Sequence, residues 1–443
     1  MRLSVFSMQE RLDFISEIGR RLPEDFIRNS IIAAGVTILL AQAFICVLPL
    51  FYGIRDLHQD YLMGLAIRHG ENPYQNVKEL WDRYFNSQYR GSLDHISPHT
   101  PVMAFIFVPL SYLPLWFVSL IWYLLSVFSV WIGVGIALRL TNQSLNLRPI
   151  IISLFAISLA GRHELMMGQV NSFIFLLMVL CYRFIEEGKS VYAGICLGIT
   201  LTLKFFGWPI LFFLIMHKNY RVVVVSLLVP LFAYSTLLFY DNGDLIQSYF
   251  EDVVIDVDQY YAGSMGDLSL MSMLVKMQTR HQIERVRGYH FKVALPGKNL
   301  VPVEPSLRWQ SRIFGFAIIV FMLVIVIQHN FATGFHRALI LSCLSSPISW
   351  THYLVPLLFS LTVLFPTIND RKTLLTFCSL SIPLFLNAEV YAVNLYGWIS
   401  SIETHGLAPG WVVAGALIPT FCLIGAACLL IISEKEILSR NES

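Results

Sequence analysis

Apolar blocks of membrane-spanning or near-spanning length recur along nearly the whole chain, at about 29–52, 114–138, 150–167, 170–187, 190–203, 205–217, 222–240, 310–328, 333–349, 353–368, 373–388 and 410–432. Lipid offers a backbone N–H or C=O no water, so a segment that crosses must satisfy its own hydrogen bonds as a helix. A helical span needs about 20 apolar residues, within a range of about 17–25. The blocks at 190–203 and 205–217 fall short of this and are separated only by Lys204. They are either two tilted helices meeting near one face or one broken helix. The piece 102–113 is shorter still and reads as a re-entrant or surface helix closed by Leu113-Pro114. The expected fold is all-α: one polytopic membrane domain over 29–432 with about 12 transmembrane helices, flanked by an amphipathic segment (1–28) and a tail (433–443).

Composition agrees with this reading. Charged residues make up 14% of the chain, against roughly 25% in a soluble domain. A formal charge of +2 leaves no footprint for a polyanion, and no nucleic-acid partner is expected. All seven cysteines (Cys46, Cys181, Cys196, Cys343, Cys378, Cys422, Cys428) fall in apolar segments, where a thiol behaves as a small core residue. No CxxC or Cys/His metal spacing occurs, and neither a metal nor another cofactor is expected. Residues 1–28 carry Arg2, Arg11, Arg20, Arg21 and Arg28. They predict a cytoplasmic amphipathic helix along the membrane surface rather than a signal peptide.

Basic residues in short loops orient a membrane protein toward the cytoplasm. With 1–28 inside, the inside loops hold Arg139, Arg148, Arg183, Lys189, Lys218, Arg221, Arg337, Arg371 and Lys372, and the tail adds Lys435 and Arg440. Both termini are then cytoplasmic, and the two long loops, 53–100 and 241–308, lie outside. The polar residues gather on that outer side. The inverted repeat expected of many transporters is not evident.

Several polar groups there could carry chemistry. If 56–69 is helical, Asp56 and Asp60 sit one turn apart on the same face. Two such carboxylates repel, which raises the proton affinity of one and suits a general base. The plainer reading is that Asp56 caps a surface helix and Asp60 is solvated. Gly70-Glu71-Asn72-Pro73-Tyr74 predicts a turn ending this helix. His58 and His69 read as solvated interfacial histidines. At the next outer turn stand Gly161-Arg162-His163-Glu164 and Gly168-Gln169-Val170-Asn171. Arg162 either snorkels to headgroups or meets a phosphate. Gln169 and Asn171 either cap the following helix or hydrogen-bond sugar hydroxyls.

Lys204 lies between two apolar runs, where an unpaired lysine costs about 2.5–3.5 kcal/mol on insertion scales. It needs water, a carboxylate or a phosphate, unless it snorkels at a helix end. In Ser346-Pro347-Ile348-Ser349-Trp350-Thr351-His352-Tyr353, the aromatic residues fit an interfacial belt and His352 could meet a phosphate or sugar. The loop 241–308 is acidic first (Asp241, Asp244, Glu251, Asp252, Asp256, Asp258) and basic later (Arg280, Arg285, Arg287, Lys292, Lys298). Asp256 and Asp258 lack the fuller ligand set that a divalent ion needs. No Walker loop, dinucleotide fingerprint or serine elbow occurs, so a transferase built this way should take a donor that is already lipid-linked.

At these residues the chain resembles glycosyltransferase family 87, polytopic GT-C enzymes that use polyprenyl-phosphate sugars. The resemblance rests on Asp56 and Tyr61 followed by Gly70–Tyr74, the Pro98–Pro114 segment, Gly168–Asn171 and Ala193-Gly194 through Lys204. It continues through Gly266–Leu270 and Ser346–His352, in the family's order over roughly 50–355. It departs from the family pattern at Asp60, where an aromatic residue is common, and at Ser97-Pro98-His99-Thr100-Pro101, where a tyrosine before the paired prolines is missing.

The resemblance implies a GT-C-like fold and an inverting transfer. Asp56 is the expected base, with Asp60 its competitor. Lys204, with His352 and Arg162, would stabilise the leaving phosphate. Tyr61, Asn72, Tyr74, Gln169 and Asn171 would contact sugar or acceptor. The expected protein is a glycosyltransferase on the outer face of a bacterial plasma membrane. It would move a sugar, with mannose expected, from a polyprenyl-phosphate donor to a glycolipid or polysaccharide acceptor among membrane lipids. The rival is a transporter or flippase of lipid-linked sugars.

Overall fold

The structure is a computed structural model that describes residues 24–48, 56–85, 96–241, 243–255, 269–278, 304–327, 330–346 and 351–364. The blocks expected at 373–388 and 410–432, most of the N-terminal segment, the tail, Asp256 and Asp258 lie outside the described residues. Within them the chain is helical, and an isolated bridge between Asn76 and Ile96 joins two loop segments.

The helices are α1 (Glu24–Val47), α2 (Asp56–Arg68), α3 (Val77–Phe85), α4 (Pro101–Leu110), α5 (Leu115–Leu140), α6 (Arg148–Ile157), α7 (Leu159–Met167) and α8 (Asn171–Glu186). They continue with α9 (Ser190–Leu203), α10 (Trp208–Met216), α11 (Tyr220–Asp241), α12 (Asp244–Ser248), α13 (Leu270–Gln278), α14 (Pro305–Ile327), α15 (Phe331–Ser345) and α16 (Leu357–Leu364). A π-turn, Tyr249–Ile255, follows α12, and a 3-10 turn, Thr351–Leu354, follows α15.

Four of these, α1, α5, α11 and α14, are each long and apolar enough to cross a membrane, and a fifth crossing is available if α6 and α7 act as one. The block at 150–167 is not the single helix its length suggests. It breaks at Ser158, where α6 and α7 meet at 76°. Ser158 is extended, and its Oγ accepts from the Gly161 amide at 3.0 Å, so the residue that ends α6 also caps α7. The blocks 190–203 and 205–217 resolve as two helices, α9 and α10, with Lys204 in an extended conformation at the break. The first long loop folds into α2 and α3, and Gly70, at φ 73°, ends the turn after α2.

Lipid-facing helices are recognisable by large apolar side chains left open, since water would not tolerate so continuous a surface. Leu231, Phe232 and Phe239 on α11 are 61%, 76% and 91% exposed. Packing inside the bundle uses small residues instead. A Cβ on Gly194 would run into Val225 and one on Gly198 into Val229, so α9 and α11 approach closely through a Gly-x-x-x-Gly stripe. That contact and the one between α9 and α8 are the most extensive around α9. Because α8 runs away from Asn171 and α9 returns to Lys204, residues 169–171 and 204 finish at the same end of the bundle.

Candidate active site

Asp56 opens α2, whose face toward α4 is buried from Leu57 onward. Gly64 permits that contact, because a Cβ there would strike the Phe107 backbone. Asp56 is half-buried. Its Oδ1 accepts from Gln59 Nε2 at 3.0 Å and its Oδ2 from Gln169 Nε2. Gln169 is brought there by Gly168, which ends α7 in the left-handed region at φ 70°. A Cβ on Gly168 would also press on the Leu57 side chain, 2.7 Å away, so the position excludes larger residues for two reasons.

The amide of Gln169 faces two ways. While Nε2 donates to Asp56, Oε1 accepts from Lys204 Nζ at 3.3 Å. Lys204 also donates to Asn171 Oδ1 at 3.3 Å and lies 3.8 Å from the centre of the Tyr353 ring. Asn171 in turn donates to Glu164 Oε2 at 2.8 Å, and the Ser172 amide donates to Glu164 Oε1 at 2.7 Å. Glu164 and Asn171 are fully buried. Glu164, Asp56 and Asp60 all act electrostatically on Lys204. A lysine and a carboxylate are thus joined through one glutamine amide, with a second carboxylate fixing the neighbouring asparagine.

Asp60 is 1% exposed and does not face solvent. Its Oδ1 meets His99 Nδ1 at 2.5 Å. Burial raises its pKa, opposed by the His99 charge and hydrogen bond, and Asp56 contributes a smaller rise. The repulsion that the helical spacing predicts is therefore present but secondary to burial. For His99, burial acts downward, but the charge and hydrogen bond of Asp60 outweigh it and the pKa is raised. The pair accordingly holds a proton more firmly than two solvated side chains would.

Three residues expected to contact sugar or acceptor make hydrogen bonds within and around the loop. Tyr61 is buried, donates to the Leu113 carbonyl at 2.8 Å and stacks on Phe85. Tyr74 is buried and donates to the His99 carbonyl at 3.1 Å. Asn72 Oδ1 accepts from the Tyr74 amide and its Nδ2 donates to Ser248 Oγ at 3.1 Å. Arg162 is half-buried, with its Nε buried and lacking a hydrogen-bond partner among the described residues. His352 lies on the 3-10 turn that packs against α7; its side chain lies outside the described residues.

Two residues of the constellation, Glu164 and His99, were given no role from the sequence. Glu164 carried a signal, since an acid beside an apolar run needs a partner. His99 carried none, because its contact with Asp60 bridges 39 positions.

Residues 98–347, more than half of the chain, match the family model described as "Glycosyltransferase family 87". Among curated proteins, the chain is similar to "Alpha-(1->3)-arabinofuranosyltransferase" from two Mycobacterium tuberculosis strains, CDC 1551 / Oshkosh and ATCC 25618 / H37Rv. Each is 25% identical over 164 residues, covering 35% of this chain and 36% of the relative. The match thus spans about a third of the length of those relatives. No solved structure matches. The extent of the family match, over the segment that carries Gln169, Asn171 and Lys204, shows that this chain belongs to glycosyltransferase family 87.

Proposed function

We propose that this protein is an integral-membrane glycosyltransferase. It moves a sugar from a polyprenyl-phosphate donor to an acceptor hydroxyl, with inversion at the anomeric carbon. The observation that carries this reading is the chain Asp56–Gln169–Lys204, which sets a carboxylate and an ammonium on either side of one amide. Asp56 takes the proton of the acceptor hydroxyl as that oxygen bonds to the anomeric carbon. The bond from that carbon to the phosphate oxygen breaks, and its electron pair leaves with the lipid phosphate. Lys204 stabilises the charge gained by the leaving phosphate, aided by Arg162 and by His352 on the adjoining turn. Preorganised donors of this kind are commonly the largest electrostatic contribution to such a step.

Asp56 is preferred to Asp60 as the base because Asp60 is buried and committed to His99, whereas Asp56 is half-buried and orients both oxygens on neutral amides. Gln169 and Asn171 hold Lys204 and exchange that contact for sugar hydroxyls when donor binds. The two curated relatives are named for arabinofuranosyl transfer, which sets arabinofuranose beside mannose as a donor sugar to test. The acceptor is a glycolipid or polysaccharide, and the site faces the outer side of a bacterial plasma membrane.

Purified protein supplied with polyprenyl-phosphate mannose or arabinofuranose and a glycan acceptor should release polyprenyl phosphate and lengthen the acceptor. Movement of intact donor across a vesicle membrane, with no release from either donor, would instead identify a flippase.

A further inference from the structure

Asp60 and His99 are not absorbed by the mechanism above, although they make a tight polar contact within electrostatic reach of both its principal groups. We propose that Asp60 and His99 form a single proton-holding positioning pair. It keeps a second negative charge away from Asp56 and Lys204 and so preserves the affinity for an anionic lipid-phosphate donor. The inference rests on the reading of Lys204 as the phosphate ligand.

The geometry is that of a built site. Asp60 is sealed at 1% exposure, and its partner's imidazole retains 15%. His99 is fixed through its backbone as well, since its carbonyl accepts from Tyr74 in the first loop. The next residue, Thr100, donates to the carbonyl of Thr202 at 3.4 Å, two positions before Lys204. The pair therefore connects the helix that carries Asp56, the loop behind it and the end of α9.

With one proton shared between carboxylate and imidazole, the pair is neutral overall, whichever atom holds the proton. Loss of that proton would leave a buried negative charge close to Asp56, itself anionic in the proposed mechanism. One added charge in a poorly screened site changes a neighbouring binding constant by on the order of tenfold or more.

The groups that face the pair come from several elements. Asp56 lies on α2, and Lys204 follows α9, with Glu164 behind it. Tyr74 lies in the loop, Tyr249 on the π-turn beside it, and Tyr234 on α11 interacts with Thr100. The charged residues of α3 (Lys78, Glu79, Asp82, Arg83) are exposed while Val77, Leu80 and Trp81 are buried, and α4 contributes no titratable group. The raised pKa of His99 agrees with a proton retained beyond the ordinary range for histidine.

The test compares wild type, Asp60→Asn, His99→Gln and the double variant in lipid nanodiscs, reading donor KM and kcat from neutral to alkaline pH. Donor KM of the wild type should rise on the alkaline side. The double variant, with two neutral amides, should keep only the shallower rise due to the Lys204 ammonium and a donor KM within about tenfold of wild type. His99→Gln alone, which leaves the carboxylate without its proton partner, should be worse than the double variant. An alkaline rise as steep in the double variant as in wild type, or a double variant no better than His99→Gln, would overturn the proposal.

Donor binding to Asp56→Asn without turnover supplies a second reading that does not require the other variants to fold. An affinity that stays flat into the alkaline range also overturns the pair. Full turnover by Asp56→Asn would remove the proposed base, whereas the donor KM pattern decides the pair separately.

Discussion

Lys204 illustrates how much one residue can constrain a site. A lysine at the end of an apolar helix needs a counter-charge or polar partners, and here it has Gln169, Asn171 and the Tyr353 ring rather than a direct ion pair. Neutral partners of this kind hold an ammonium in place without neutralising it, which leaves it able to attract a phosphate. Replacing Lys204 by Ala should lower transfer by roughly 100-fold to 1,000-fold, in the range found on removing one preorganised charge-stabilising donor. The loss should appear in donor rather than acceptor kinetics, and unchanged donor kinetics would remove its phosphate role.

The spacing of Asp56 and Asp60 was legible in the sequence, as was the common end occupied by Asp56, Gln169, Asn171 and Lys204. The division of labour between the two carboxylates was not, because it depends on burial and on His99, which meets Asp60 from 39 positions further along the same loop. Tyr61, Asn72 and Tyr74 show the converse. Their residue types suit sugar binding, but only tertiary contacts reveal that their polar atoms hold the loop together.

At the scale of elements, the helix breaks place the chemistry. Gly168 stops α7 so that Gln169 can turn toward Asp56, and the end of α9 presents Lys204. Gly168→Ala forces a left-handed conformation that costs about 1–2 kcal/mol for a residue with a Cβ, and it also displaces Leu57 beside the proposed base. The variant should therefore lose transfer activity more steeply than thermal stability, as followed by turnover and by melting in detergent.

The stripe Gly194–Gly198 sets the closeness of α9 and α11. Gly198→Leu should overpack that contact, at a cost of about 1–3 kcal/mol, and raise donor KM by shifting Lys204. A variant with wild-type melting and kinetics would show that the close approach does not position the lysine. Apolar length predicted where helices occur but not the bend at Ser158, since hydropathy is blind to a side-chain cap that ends one helix and begins another.

At the largest scale, α5, α8 and α9 carry the chain back and forth between the two ends of the described bundle. The polar constellation collects at one end, and basic residues such as Arg139, Arg148, Arg183 and Lys189 lie at the opposite helix ends. That separation is the geometric counterpart of the charge bias in the loops, and it leads to a prediction about sidedness. A cysteine placed at exposed Glu79 should react with a membrane-impermeant thiol reagent in intact cells stripped of their outer layers. One placed at exposed Lys189 should react only after permeabilisation. The reverse pattern would put the site on the cytoplasmic side.

In the proposed mechanism Asp56, and not the buried Asp60, removes the acceptor proton. The most direct measurement is release of polyprenyl phosphate by purified wild type, Asp56→Asn and Asp60→Asn with the same donor and acceptor. Asp56→Asn, folded and still binding donor, should lose at least about 100-fold in turnover, consistent with loss of a general base, and Asp60→Asn should lose less. Wild-type turnover by Asp56→Asn, or a greater loss in Asp60→Asn than in Asp56→Asn, would contradict that mechanism.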